Sequence, residues 1–184
     1  EVSLRDYSKA LHWFNKAGSQ GDASAQVALG EIYFNGKGTD KDIDQAIKWA
    51  RAAAEQGDEY GQTLLGGLLC VKEDYQEARK WLSLASDEGN AKAQSILGFM
   101  YSTGLGGPVE LEKAFNLLDS ASKSGEKSYS PILAIFYIDG EVVKQDISKG
   151  INILEEQSKE GNPLANYLLG ELHLGGIGGS KSLS

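Results

Sequence analysis

A chain of 184 residues with 18 basic against 26 acidic side chains and a formal charge of −8 is poorly suited to phosphate backbones or anionic membranes, which call for clustered Lys and Arg. Its apolar share of 41% and charged share of 24% are those of a folded chain rather than a disordered one. The longest apolar run, eight residues from Pro131 to Ile138, is far short of the roughly 20 that a spanning helix needs. Cys70 is the only cysteine, so no internal disulfide can form. Glu1-Val2-Ser3-Leu4-Arg5 has neither the basic start nor the apolar core of a secretory signal. No Asn-x-Ser/Thr acceptor occurs, which favours a bacterial or cytosolic protein and leaves the compartment open between cytoplasm and periplasm.

In chain order, Asp6 to Gln20 has the pattern of an amphipathic helix with Ala10 and Trp13 on one face, and Gly21 ends it. The same closing glycine returns at Gly57, Gly89, Gly125 and Gly161, in steps of 36, 32, 36 and 36 residues. A second mark keeps the same steps: Leu29-Gly30, Leu65-Gly66, Leu97-Gly98, Leu133-Ala134 and Leu169-Gly170. A fixed period in this range means stacked repeats, an architecture that usually binds rather than catalyses.

Asp22 to Gly57 is the type unit. Asp22 reads as a helix N-cap, and its counterparts are Asp58, Asn90, Glu126 and Asn162. Pro163, after Asn162, suits a first helical position. Leu29, Gly30 and Tyr33 share a stripe on the first helix. A glycine inside a helix costs about 1 kcal/mol against alanine, so its return implies a neighbouring backbone that leaves no room for a side chain. The glycine loop Asn35-Gly36-Lys37-Gly38 then leads to a second helix, Asp42 to Gln56. Trp13, Trp49 and Trp81 share one position of the second helices, and Ala10, Ala46, Ala78, Ala114 and Gly150 share another. Each unit is therefore expected to be an antiparallel helix pair packed on the next.

Two units depart from the pattern. The second lacks the glycine loop between Leu69 and Tyr75, which accounts for its shorter step. The fourth carries Pro131 where the first helix should already be running, so that helix is expected to start late, near Ser130, with the proline at its first position. Residues 6–20 match a second helix without its first, and Pro163 to Leu174 a first helix without its second. Neither end has a polar capping repeat, which suggests a piece of a longer array or an array completed by neighbouring segments.

The run from Ala25 to Gly38, followed by Gln45-Ala46, Trp49, Ala53-Ala54 and Gly57, resembles the Sel-one-like repeat (SLR), a relative of the tetratricopeptide repeat, over nearly the whole chain. The resemblance implies an all-α, right-handed superhelical solenoid of about ten helices. Whole units would span 22–57, 58–89, 90–125 and 126–161, with partial units at 1–21 and 162–184. It further implies a non-enzymatic adaptor whose first helices line a concave face. On that face, angular projection from Gly30 and Tyr33 selects Phe34, Tyr60, Phe99, Ile135 and Tyr167 as anchors, with Glu31 and Lys92 beside them. Ser24, Val27, Asn35, Thr63, Gly67, Cys70, Ser95, Ser102, Ile138, Leu164 and Glu171 fall on the same projection. The expected partner is a protein or peptide, with no nucleic acid, membrane insertion, cofactor or metal. The alternatives are a self-associating homodimer and a hydrolase linked to cell-wall or β-lactam substrates.

Catalytic signals are weak. His12 and His173 lie in different units, and His173 replaces the repeat tyrosine. Asp40-Lys41-Asp42-Ile43-Asp44 opens like a calcium loop, but its sixth residue is Gln45 and its twelfth Arg51. The glycines at 104–107 and 175–179 lack the Lys-Ser/Thr ending of a phosphate loop and sit where the repeat turns. Cys70 closes an apolar helical run, a setting that reads as an unreactive thiol, and no Ser-His-Asp set can be assembled.

Overall fold

The computed structural model describes residues 7–175, and every helix among them belongs to one alternating series. The first compact unit, Glu1–Ala93, holds α1 (Tyr7–Ser19), α2 (Ala23–Asn35), α3 (Ile43–Ala54), α4 (Glu59–Val71) and α5 (Tyr75–Asp87). The second, Gln94–Ser184, takes most of α6 (Ala91–Thr103) and all of α7 (Leu111–Lys123), α8 (Ser130–Asp139), α9 (Ile147–Lys159) and α10 (Pro163–His173). Residues 1–6 and the glycines at 176, 178 and 179 lie outside the described residues.

Helix starts follow the caps expected from sequence. The carboxylates of Asp22 and Asp58 accept from the backbone N–H of Ala25 and Gly61 at 2.7 Å each, and Asn90 accepts from Ala93 at 3.0 Å. Asn162 caps α10 ahead of Pro163. Glu126 is the exception: it accepts from Ser128 N–H in the loop, and α8 begins only at Ser130, after Tyr129. The late start agrees with the expectation, but Pro131 takes the second helical position rather than the first. The freed donors of α8's first turn make this substitution harmless, since proline lacks an N–H that the helix would leave unpaired.

Helix ends are uniform. Gly21, Gly57, Gly89, Gly125 and Gly161 all lie in the left-handed region, with φ between 83° and 95°. The next residue's N–H bonds back across the turn, as from Asp22 to Ala17 O and from Asn162 to Gln157 O, which closes a Schellman-type end. A second recurrent bond ties the two helices of a unit. The N–H of the second helix's N-cap donates to a first-helix carbonyl in Asp42→Tyr33, Asp74→Leu69, Glu110→Tyr101 and Asp146→Tyr137, at 2.8–3.0 Å. The shortened second unit keeps this bond without a glycine loop because Glu73 takes φ = 62°, a conformation glycine adopts more easily.

The core runs between paired helices. Leu29, Leu65, Leu97 and Leu133 are buried, and so are Ala46, Ala78 and Ala114 opposite them. The small residues beside those leucines lie against the second helix. A Cβ at Gly66 would stand 2.5 Å from Leu82 Cγ, and one at Gly98 would stand 2.8 Å from Leu118 Cγ. At Gly61, a Cβ would come within 2.8 Å of the Ala54 backbone nitrogen. Gly61→Ala should therefore cost about 1–3 kcal/mol in urea unfolding, since backbone cannot swing aside. Gly170→Ala, on exposed α10, meets nothing within 4 Å among the described residues and should stabilise by up to about 1 kcal/mol through helix propensity. Equal effects at both sites would contradict the packing described.

Candidate interaction face

First helices leave one side free of the packing stripe. On α4 that side carries Tyr60, Gly67 and Val71, spaced seven and four residues apart and so aligned along the helix. Tyr60 is 64% and Val71 52% exposed, and a Cβ at Gly67 would meet nothing within 4 Å. Between two apolar side chains the glycine leaves a shallow notch. Neighbouring α2 presents exposed Glu31 and half-buried Phe34, whose ring lies under the Lys41 ammonium at 5.8 Å.

In the second unit the face is more closed. Phe99 stacks on Tyr129 with ring centroids 4.8 Å apart and planes 19° from parallel. Ile135 is half-buried and packs against the cluster of Ala134, Ile138, Leu154, Ala165 and Leu168. Tyr167 on α10 is 63% exposed, whereas Thr63, Ser95 and Pro131 at its repeat position are buried. Its exposure is therefore not shared by the other residues of that repeat position. Lys92, in the first turn of α6 and within the first unit, is exposed.

The projection thus separates into two sets. Glu31, Tyr60, Lys92 and Tyr167 point to solvent, while Phe34, Phe99 and Ile135 are shared between solvent and packing. Ile138, Ser95 and Thr63, from the same projection, are buried, Ile138 against Gly150. The projection treated each helix as a lone cylinder, and the second helices packed on either side of it take up more of its circumference than that allows. Tyr60 lies on α4 and Glu31 and Phe34 on α2 of the first unit, and Phe99 and Ile135 lie in the second. Val71 and Tyr129 were missed; an apolar residue eleven after Tyr60, just ahead of the Lys72-Glu73-Asp74 turn, was the available signal for Val71.

A further link ties second helices. Arg51 of α3 pairs with Glu77 of α5 at 2.5 Å, with a second nitrogen–oxygen contact of 3.2 Å, and Trp81 Nε1 donates to the same carboxylate at 3.2 Å. The hydrogen bond from Arg51, with that from Trp81, holds the Glu77 carboxyl below its ordinary range, and the Arg51 guanidinium is shifted upward. Burial alone pushes the Cys70 thiol up, the direction that suppresses thiolate chemistry. Among the described residues no three His, Cys, Asp or Glu side chains gather as a metal site would need, and no helix is long and apolar enough to cross a membrane. Asp42, from the abortive calcium pattern, caps α3 by accepting from Gln45 N–H.

The comparisons agree with this architecture. The Sel1 repeat model matches residues 3–22, 23–58, 59–90, 91–126, 132–162 and 163–184. The chain belongs to the Sel1 repeat family. Among solved structures it is similar to c5321, a protective antigen of uropathogenic Escherichia coli strains with an SLR fold, at 30% identity and a TM-score of 0.76. That match covers 91% of this chain and 37% of c5321, so the chain spans well under half of that relative's length. A Sel1 repeat protein from Oxalobacter formigenes is also 30% identical, with a TM-score of 0.74 over 88% of this chain and 67% of its own. A third structure, from Klebsiella pneumoniae subsp. pneumoniae, is 21% identical with a TM-score of 0.61, over 80% of this chain and 72% of its own, a likeness of fold alone. No curated protein matches the chain. The fold is an all-α helical repeat solenoid, and Sel1 repeat proteins are in general non-catalytic scaffolds for protein interaction.

The Arg51–Glu77 link has a pH signature. Because folding lowers the Glu77 pKa, its contribution is complete above the ordinary carboxylate range, near pH 4.3, and is lost as pH falls through the folded value. Glu77→Gln should cost no more than about 1 kcal/mol at pH 7 for a pair still 34% and 31% open to solvent. The difference from wild type should shrink steadily in thermal melts below pH 4. A difference independent of pH would remove the ion pair as its cause.

Proposed function

We propose that this chain is a non-enzymatic adaptor that docks a partner polypeptide along the free side of its first helices. The observation that carries the reading is the α4 stripe, where two exposed apolar side chains flank the open notch at Gly67. An isolated exposed tyrosine is ordinary, but an aligned aromatic, gap and valine on a rigid helix make a place for an inserted apolar side chain. Glu31 and Phe34 extend that surface on α2, and Lys92, Phe99, Ile135 and Tyr167 are the residues through which other first helices would contribute. The partner is a peptide or helix with a bulky apolar residue for the notch and a basic group for Glu31.

The test is selection of peptides from a displayed library on wild-type protein, with affinities then measured against Gly67→Trp and Tyr60→Ser/Val71→Ser. Neither variant touches the core, and circular dichroism checks the fold. Loss of affinity by tenfold or more in both variants is the expected result. Peptides that bind wild type and both variants equally would move the site off α4.

A further inference from the structure

The turn from α4 into α5 takes a left-handed backbone without glycine. Among the described residues every other positive φ belongs to a glycine, whereas Glu73 holds φ = 62°, a conformation that crowds any residue with a Cβ. The connection lacks the glycine loop of the other units and must reverse within Lys72-Glu73-Asp74. Glu73 N–H donates to Cys70 O at 3.1 Å and Asp74 N–H to Leu69 O at 2.9 Å, which closes the turn. Glycine would serve those backbone bonds with less strain, so the turn itself gives no reason for a carboxylate here. The two neighbouring charges are engaged. Lys72 Nζ pairs with Asp44 at 2.9 Å, and the Asp74 carboxylate accepts from Glu77 N–H at 3.2 Å. Glu73 is exposed, and among the described residues no hydrogen bond or ion pair engages its side chain.

We infer that Glu73 is a specificity-determining residue of the α4 face, holding a lysine or arginine of the bound polypeptide, an inference that rests on the docking function proposed for that face. Glu73 follows Val71 by two residues, so it stands where the stripe of Tyr60, Gly67 and Val71 ends. From the notch at Gly67 it is about 9 Å along the chain at helical rise. That distance is about three residues of an extended peptide. The occupant is therefore an extended segment with a bulky apolar side chain in the notch and a basic residue about three positions away. Charge complementarity selects the basic residue. Lys72, the cation of the turn, is already paired, and Glu31 presents a further exposed acid on α2 of the same unit. An acidic peptide would meet these carboxylates with nothing to offset them, so the face rejects it as firmly as it accepts a basic one. Strain at Glu73 then falls at a functional surface, where a costly backbone is offset by what its side chain does.

The experiment selects peptides from one displayed library on wild-type protein and, separately, on Glu73→Lys, with circular dichroism to check each fold. Peptides enriched on wild type should carry Lys or Arg about three positions from a bulky apolar residue. Those enriched on Glu73→Lys should carry Asp or Glu at the same spacing. At low salt each class should bind the protein that selected it about tenfold more tightly than the other protein, and the preference should fade as salt is raised. Glu73→Gly should bind the wild-type class about three- to tenfold more weakly while unfolding at an equal or higher urea concentration. A residue with a purely structural role would not separate binding from stability in that way. Peptides blocked by Gly67→Trp that bind Glu73→Lys as well as wild type would leave the docking face standing and overturn the role of Glu73. A Glu73→Gly protein much less stable than wild type would overturn it too. Peptides indifferent to Gly67→Trp, or a selection that enriches none, would remove the docking face itself and the role of Glu73 with it.

Discussion

Everything in this molecule depends on how closely the first helix of a unit approaches the second. The approach is set by absent side chains. Gly30, Gly66 and Gly98, with Ala134 in the fourth unit, face a second helix whose own contact position is Ala46, Ala78, Ala114 or Gly150. At Gly150 a Cβ would stand 2.8 Å from the Ala134 carbonyl oxygen. Each such glycine works against its own helix by about 1 kcal/mol. Burial of the leucines beside it offsets that cost, at roughly 1.5–3 kcal/mol for each fully buried side chain. The result is a rigid pair, and that rigidity lets a row of side chains on the far side of the first helix form a fixed surface.

That constraint also decides which residues stay uncovered. A first helix is gripped by its own second helix and by the second helix before it, so only a narrow strip stays open. Tyr60, Gly67 and Val71 lie on that strip, whereas Ile138, Ser95 and Thr63, a small rotation away, are buried. The surface is apolar and shallow, with charge at its margin from Glu31. Such a surface suits contact with a polypeptide and offers no activated nucleophile: the Cys70 thiol is pushed up by burial rather than down by a cation.

Much of this architecture was legible in the sequence because repetition turns weak signals into strong ones. One glycine says little; five at φ of 83–95° in a common register mark five helix ends. Asp22, Asp58, Asn90 and Asn162 were readable as caps because capping is local chemistry. Glu126 was not, because Pro131 displaces the start of α8, and the longer carboxylate then serves the loop. The face was legible only in part. Exposure of Tyr60 follows from helical angle, but burial of Ile138 depends on Gly150 in another helix, and the Phe99–Tyr129 stack on a loop residue beyond the next helix. The Arg51–Glu77 pair bridges two units, and a spacing of 26 residues follows no local period.

The most direct test of the central claim is a double-mutant cycle at the contact itself, with Gly66→Leu and Leu82→Ala measured singly and together by urea unfolding. If the glycine exists to admit Leu82, the first change overfills the contact and the second empties it. The pair should then be less destabilised than the sum of the singles by about 1–3 kcal/mol. Strict additivity would mean that the two residues do not share a packing site, and that close approach of the helices is not what orders this fold.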